Sequence, residues 1–313
     1  MVNIPIAVQP FFHQVPSRQI LNYPNYPIKY FKEPFNQLSL QWKNLQTKKM
    51  STEKINKSTI ATKFGTKAKN YQKHAQVQPV LLDNISKNLQ KDLKPGQLWA
   101  DIGCGPGTLL NYITIPDKTA LLFMDIAFEP LKIVTRNSQH QKTITGITAD
   151  SEYLPLKDSS IDGAIMASML QWAHSPSKVM DQIALVLKDK GILHYAVFVK
   201  GSLHQLNQAR AACGLHNPVT FLEINQLFEM ADRAGFDIIQ ETVQQHTCTH
   251  HFPSAFDVLK SLSAIGATAT SSAPLNRKKI AELCSNYDSL FGTENGTPVT
   301  YRAITGKALR RNR

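Results

Sequence analysis

The sequence has few cysteines, few acidic residues and no long hydrophobic run. Its four cysteines lie far apart and form no CxxC pair, which excludes a disulfide scaffold and a zinc ribbon and favours a reducing compartment. No stretch approaches the roughly 20 uninterrupted apolar residues that a membrane span needs. The first residues carry prolines and no basic segment, so we expect no signal peptide and a cytoplasmic protein.

What the chain does have is basic charge and enough apolar material for a core. It contains 35 Lys and Arg against 23 Asp and Glu, a formal net charge of +12, and 42% hydrophobic residues. The apolar share excludes wholesale disorder, and 313 residues fit one large domain or two small ones. A basic protein usually meets nucleic acid, an anionic membrane, or an acidic protein or substrate, and charge alone does not choose among them.

The first 49 residues differ in composition from the rest. They hold six basic residues against one acid and six of the 17 prolines, with aromatic residues between them. No helical or strand period runs through this segment. We therefore expect an irregular, mobile arm over residues 1–49 and one folded domain over residues 50–313.

From residue 97 onward, apolar runs alternate with helical patterns. Such alternation argues for a mainly parallel sheet with helices on both faces. Two later runs, Phe236–Thr249 and Val299–Leu309, predict strands at an antiparallel edge. Helical segments at about residues 51–92, 200–225 and 252–292 are expected to form lid elements over the carboxyl edge of the sheet. The earlier strands are predicted at Gln97–Ile102, Ala120–Met124, Thr143–Ala149, Ile161–Ala167 and Gly191–Val199.

The loop after the first predicted strand carries the most chemical information. Residues 101–107 read D-I-G-C-G-P-G, so that glycines alternate after an acid, and a helix is expected to follow. Glycines let the backbone turn sharply and approach a ligand, and a helix start offers free N–H groups to an anion. Dinucleotide sites use GxGxxG instead, and Thr108 stands where their third glycine would fall.

This loop resembles the S-adenosylmethionine loop of class I methyltransferases. The resemblance implies a Rossmann-like α/β fold with a mainly parallel seven-stranded sheet, an antiparallel edge strand and helices on both faces. It also implies S-adenosylmethionine as the cofactor, with Asp101 at its methionine end and Asp150 at the adenine amino group. Asp125 ends the second strand, where a carboxylate can accept both hydrogen bonds of a ribose diol. The cofactor-binding residues are predicted to be Asp101, Gly103, Gly105, Gly107, Asp125, Ile126, Asp150 and Ser151.

Further motifs resemble those of the malonyl-acyl-carrier-protein O-methyltransferases of biotin synthesis, over roughly residues 51–310. The more specific of them are the S-L-x-x-I-G-A segment at 261–267 and the closing Thr300-Tyr301. Where that family usually has Lys-Gly, this chain has Ser263-Ala264. The family starts near Met50, so residues 1–49 are either an added arm or upstream sequence. The other matching motifs are Phe64-Gly65, Tyr71-x-x-His74-Ala75, Gln171-Trp172, Gly201-Ser202-Leu203, Phe221-Leu222 and Pro298-Val299.

The family resemblance implies O-methylation of the free carboxylate of a malonyl thioester. Its partner would be malonyl-acyl-carrier protein or malonyl-CoA, and an acidic carrier protein would dock on a basic surface. No metal, nucleic acid or membrane span is expected. The residues predicted to act on the acceptor are Tyr71, His74, Trp172, Lys260 and Tyr301.

Alternatives to this function and to several single residues stay open. Another small acid or a quinone-type acceptor would fit the departure at Ser263-Ala264, and a non-catalytic, cofactor-binding regulatory module would fit the same loop. Tyr71 lies on the apolar face of its helix, and a lysine such as Lys260 is more often a solvated helix charge. A zinc site at His246, Cys248 and His250 is disfavoured, because one strand closes a tetrahedron poorly.

Overall fold

The computed structural model of the chain describes residues 57–138, 143–217, 219–266 and 275–312. The arm predicted over residues 1–49 lies outside these residues. Within them, the chain forms eight α-helices and eight strands. The helices are α1 Lys57–His74, α2 Gln78–Asp92, α3 Phe128–Asn137, α4 Pro176–Val186, α5 His204–Ala212, α6 Ile224–Arg233, α7 Ala255–Ala264 and α8 Arg277–Phe291. The strands are β1 Leu98–Ile102, β2 Ala120–Asp125, β3 Ile144–Thr148, β4 Ile161–Ala167, β5 Leu187–Phe198, β6 Phe236–Ile238, β7 Gln244–Phe252 and β8 Thr297–Arg310.

All eight strands join one sheet, in the order β3-β2-β1-β4-β5-β8-β6, with β7 paired beside β8. The pairs from β3 to β5 are parallel, and β8 runs antiparallel to β5, β6 and β7. The mainly parallel sheet with an antiparallel edge is thus confirmed. The chain order reverses between β1 and β4, and ligands of open α/β sheets bind at the carboxyl ends of strands at such a point.

The edge predicted as one strand over Phe236–Thr249 is two strands, which is why the sheet has eight strands and not seven. A 3-10 turn at Gln240–Thr242 separates β6 from β7, and both pair with the long β8. At the break, Thr242 Oγ1 accepts a hydrogen bond from the backbone N–H of Lys307 (3.0 Å). The side chain therefore replaces a ladder partner, and a hydrophobicity pattern carries no sign of such a replacement.

The helix expected directly after the glycine loop is also shorter than predicted. The structure has a single 3-10 turn there, Thr108–Asn111. The side chain of Gln90 binds both the N–H and the C=O of Thr114 (2.7 and 3.0 Å), which holds the chain away from helical geometry. Pro116 lies two residues further on and cannot continue a helix. The expected anion site at a helix N-terminus is therefore absent from this loop.

The apolar residues form one core on each face of the sheet and a third under the helices near the carboxyl edge. On one face, Leu81, Ile85 and Leu89 of α2 are buried at four-residue spacing. Trp99 of β1 is fully buried, and its ring lies 2.3 Å from where a Cβ at Gly163 would stand, so β4 needs glycine at that position. The third core joins α5, α7 and α8 to β8.

Candidate functional site

The glycine loop is anchored to the end of β2. The backbone N–H groups of Gly103 and Cys104 both donate to the carbonyl oxygen of Met124 (2.7 and 3.1 Å). This pairing continues the β1–β2 ladder into the turn and places the next residues at the carboxyl edge of the sheet.

The three glycines of the loop face different surroundings. A Cβ at Gly103 would stand 2.5 Å from Met169, and one at Gly107 would stand 2.7 Å from Val134. Gly105 has a left-handed φ of +52° and nothing within 4 Å of the position of a Cβ. Gly105 thus borders open space, whereas Gly107 packs against α3 and does not line the cleft described below.

Asp125 ties the loop to the following helix. Its two carboxylate oxygens accept the N–H of Gly105 (2.9 Å) and the N–H of Ala127 (2.8 Å). Burial raises the pKa of Asp125, although hydrogen bonds from Ala127, Gly105 and Ile126 oppose the rise. Each oxygen of a carboxylate has a second lone pair, so the group can still accept hydrogen bonds from a pair of hydroxyls.

Asp101 at the end of β1 is a buried carboxyl group without a partner. It is 4% exposed, and no hydrogen bond or ion pair from the described part of the chain reaches its side chain. Burial and, to a smaller degree, the charge of Asp125 raise its pKa to about 8. A cationic ligand beside this group would stabilise its ionised form and lower the pKa again.

A lysine holds the acids that follow β3. Lys57 Nζ, at the start of α1, lies 2.6 Å from Asp150 Oδ2 and 2.9 Å from Glu152 Oε1. The other oxygen of Asp150 accepts the backbone N–H of Glu152 (3.0 Å). Glu152 in turn accepts the N–H of His174 (2.7 Å). The first helix is thereby fastened across the mouth of the sheet edge.

Replacing Lys57 by methionine is expected to destabilise the protein and to loosen α1. Asp150 and Glu152 would lose their shared cation, at a cost of about 1–3 kcal/mol. Burial raises the pKa of Glu152, but Lys57 and two backbone N–H groups bring it below the usual value. A carboxyl group with a lowered pKa contributes stability above its unfolded value, which is lost as the pH falls.

The loss of unfolding free energy in Lys57→Met should therefore be larger at pH 7 than near pH 3, as measured by urea unfolding. Lys87→Met is the matched control, because Lys87 forms a single exposed pair with Asp83 on α2. Equal losses of stability in the two variants would contradict the bridging role of Lys57.

These groups line one large cleft at the carboxyl edge. The cleft has an empty volume of about 1280 Å³, which includes open solvent at its mouth. Its charged lining is Lys57 and four carboxyl groups, so it attracts a cationic ligand. The predicted residues that line it are Asp101, Gly103, Gly105, Asp125, Ile126, Asp150, Ser151 and Trp172.

S-adenosylmethionine fits this cleft by chemistry. Its ammonium group would supply the cation that Asp101 lacks, its ribose diol would meet Asp125, and Gly105 leaves room beside the backbone. Asp150 is already bound to Lys57 but retains lone pairs for an amino group. These residue roles stay predictions.

A second, smaller cavity adjoins the cleft through Phe64, Gln78, Ser168 and Trp172, which line both. The rings of Phe64 and Trp172 meet edge to face, with centroids 5.3 Å apart. None of the described residues that line the second cavity carries a full charge. Its remaining lining residues are Gln171, Phe198, Leu203, Val219, Phe221, Leu262, Ile265 and Tyr301.

Of the residues predicted to act on the acceptor, the structure brings Trp172 and Tyr301 together in this cavity. His74 and Lys260 are exposed and line neither cavity. Leu262 of α7 lines the second cavity, and Lys260 stands about 200° around the helix from it. Lys260 therefore points away from the second cavity in this structure. The side chain of Tyr71 lies outside the described residues.

Sequence reasoning missed two residues of the site. Nothing in the sequence around Lys57 indicates that this lysine meets Asp150, which lies 93 residues later. Gln171 appears in the sequence analysis only within the Gln171-Trp172 motif. Its position after a strand that ends at the carboxyl edge was the available signal.

The structure also bears on a nucleophilic cysteine, a metal site and a membrane span. Burial, together with the charges of Asp125 and Asp101, raises the pKa of the Cys104 thiol, so it remains protonated and poorly nucleophilic. Among the described residues, no three His, Cys, Asp or Glu side chains are grouped to hold a metal ion, and this includes His246, Cys248 and His250. No helix in the described ranges is long and apolar enough to cross a membrane.

Comparison with known proteins agrees with the fold. A family model described as a methyltransferase domain matches residues 100–195. The crystal structure of YcgJ from Bacillus subtilis superposes with a TM-score of 0.52 at 14% identity, over 74% of this chain and 99% of that one. A candidate methyltransferase from Bacillus halodurans C-125 gives 0.52 at 15% identity, over 73% and 99%. The chain thus has the fold of class I methyltransferases, and its residues 100–195 match a methyltransferase domain.

Comparison with curated proteins identifies more specific relatives of this chain. Malonyl-[acyl-carrier protein] O-methyltransferase of Brevibacillus brevis is 26% identical over 82% of this chain and 97% of its own length. The protein of the same name from Pectobacterium atrosepticum is 26% identical over 83% and 100%. The human mitochondrial arginine-hydroxylase NDUFAF5 is 25% identical over 64% of this chain, and the match spans only 60% of that relative. The similarity to malonyl-acyl-carrier-protein O-methyltransferases is thus confirmed.

Proposed function

We propose that the protein methylates the free carboxylate of a malonyl thioester, an early step of biotin synthesis. The observation that carries this proposal is the length of the match. The chain aligns with nearly the full length of two methyltransferases of that name, but with only 60% of the hydroxylase. Matching a whole relative includes the helices over the sheet edge, which the general methyltransferase domain at 100–195 does not contain.

The chemistry needs little from side chains. A malonyl carboxylate is ionised near pH 7, because carboxyl groups of this type titrate near about 4. It is therefore a nucleophile without a general base. S-adenosylmethionine supplies, when bound, an electrophilic methyl group on a sulfonium with a neutral leaving group. Asp101, Asp125 and Asp150 would hold the cofactor in the main cleft, which adjoins the second cavity.

The second cavity would lead the thioester to the cofactor in the main cleft without holding its carboxylate. Its described lining offers no lysine or arginine that would pair with the anion and reduce its nucleophilicity. Apolar walls from Phe64, Trp172 and Ile265 would exclude water, and the two reactants would be held in line. Such positioning can lower the activation free energy by roughly 7–11 kcal/mol when the geometry is good.

The proposal extends to the partner, the compartment and the domain plan. A basic chain of net charge +12 would meet an acidic carrier protein by complementary charge, and malonyl-CoA is the smaller alternative acceptor. The relatives named for this reaction are bacterial, and we propose a cytoplasmic location. The catalytic domain would be residues 50–313, with the helices at 51–92, 200–225 and 252–292 as its lid.

A quinone-type acceptor is the second candidate. It is favoured by the uncharged, aromatic lining of the second cavity, and by Ser263-Ala264 where related proteins have Lys-Gly. A neutral aromatic ring would stack against Phe64, Trp172 or Tyr301 without a charged partner. Another small acid or a binding-only role remains the outcome if neither acceptor reacts.

The test offers S-adenosylmethionine with malonyl-acyl-carrier protein or with acetyl-acyl-carrier protein to the full chain. The intact mass of the carrier protein is then read for one added methyl group. We expect methylation of the malonyl form alone, because the acetyl form has no free carboxylate. No methylation of either form by a protein that binds S-adenosylmethionine would overturn the proposal. A demethylated quinol is then the next acceptor to try.

A further inference from the structure

The second cavity contains a buried acceptor atom that the fold leaves unused. Gln171 lines this cavity, and its Nε2 donates a hydrogen bond to the backbone carbonyl of Ser168 (2.8 Å). This bond fixes which end of the amide is nitrogen. The other end, Oε1, is buried and has no hydrogen-bond partner among the residues that the structure describes. A buried carbonyl oxygen of this kind is satisfied by an N–H or O–H donor.

The same cavity contains a hydroxyl donor. Tyr301 lines it from β8, and no hydrogen bond to its hydroxyl is formed by the described residues. Its ring is fixed between Phe198 and His250, with centroids 5.8 and 6.4 Å away. Burial raises the pKa of this phenol, so the hydroxyl keeps its proton and can donate.

An acceptor and a donor in an uncharged, apolar cavity define the group that fits. An amide offers one N–H and one C=O and carries no charge. An ionised carboxylate fits poorly, because it has only acceptor atoms and cannot satisfy Gln171 Oε1. The surrounding Leu203, Val219 and Leu262 suit the methylene groups on either side of an amide.

We propose that Gln171 and Tyr301 bind an amide group in the flexible arm of the thioester substrate. The inference rests on the proposed function and adds the substrate portion that this cavity takes. The arm would lie along the second cavity, and the carboxylate would pass the shared residues Ser168 and Trp172 into the main cleft. Both residues act on substrate binding, remote from the reacting atoms, so their loss raises KM more than it lowers kcat.

The experiment compares two malonyl thioesters of equal length. Malonyl-N-acetylcysteamine has one amide in its arm, and the malonyl thioester of pentanethiol has methylene groups instead. The wild-type chain should show a kcat/KM about tenfold higher for the amide-bearing thioester, as expected for a buried hydrogen-bonded pair. Gln171→Met should remove this preference by raising the KM of the amide thioester alone, and Tyr301→Phe should reduce it while keeping the ring.

Tyr195→Phe is the control for loss of a buried hydroxyl. The hydroxyl of Tyr195 is also buried without a partner, but it lies outside both cavities, so both thioesters should react as with the wild type. Equal activity on the two thioesters in the wild type, or no activity on either while malonyl-acyl-carrier protein is methylated, would overturn this inference and leave the proposed function standing. Failure with malonyl-acyl-carrier protein as well would overturn both.

Discussion

Gly105→Arg is expected to abolish binding of S-adenosylmethionine and to leave the fold intact. A Cβ at this position meets nothing within 4 Å, so the new side chain enters the cleft and not the core. A guanidinium there would occupy the space beside Asp125 and neutralise the carboxyl groups that attract a cationic ligand. We expect an affinity loss of about 100-fold or more, which corresponds to about 2.7 kcal/mol.

A second variant controls for the loss of stability that the positive φ at Gly105 causes in this substitution. Gly105 has φ of +52°, where an L-residue is disfavoured by about 1–2 kcal/mol. Gly96 also has a positive φ of +80° and open space around a Cβ, but it lies before β1, at the opposite end of the strand. Gly96→Arg should therefore share the small loss of thermal stability and keep cofactor affinity. Calorimetric titration that finds intact binding in Gly105→Arg would place the cofactor elsewhere.

The parts of the fold that follow from local patterns could be predicted from the sequence. The run Ile161–Ala167 is a strand with the predicted bounds, because a parallel strand buried on both faces reads as a continuous apolar segment. The acids at 101, 125 and 150 all reach the cleft, because each lies within two residues of the last residue of a parallel strand. Strand ends in one sheet meet at one edge whatever the intervening sequence.

The errors arose where a side chain far along the sequence decides the local structure. Thr242 interrupts the edge strand by binding Lys307, and Gln90 holds Thr114 extended where a helix was expected. Lys57 meets Asp150 across the cleft for the same reason. The position of a residue around its helix also decides whether its side chain reaches the site. The charge and motif of Lys260 predict a role at the acceptor, but the second cavity is lined by Leu262 of α7 and by Ile265 just after the helix.

Asp101→Asn is expected to stabilise the protein without ligand and to weaken cofactor binding. The pKa of Asp101 is raised by burial to about 8, so the folded protein holds a proton that the unfolded chain releases near pH 4. The stability due to this proton is complete at low pH and is lost as the pH rises through 8. Asparagine does not titrate, so the melting temperature of the variant relative to the wild type should increase between pH 5 and pH 8.

Asp101→Asn should weaken the binding of S-adenosylmethionine, although it stabilises the protein without ligand. The ammonium group of S-adenosylmethionine favours ionised Asp101, so the wild type should release close to one proton on binding at about pH 6.5, where an α-amino group is already charged. Titration calorimetry in two buffers of different ionisation heat measures this release. Asp101→Asn should release none and bind about 10–100-fold more weakly, as expected for a charge-assisted hydrogen bond. Asp83→Asn, which removes an exposed carboxylate from α2, should retain both the proton release and the affinity. Equal proton release by Asp101→Asn and the wild type would show that the ammonium group binds elsewhere.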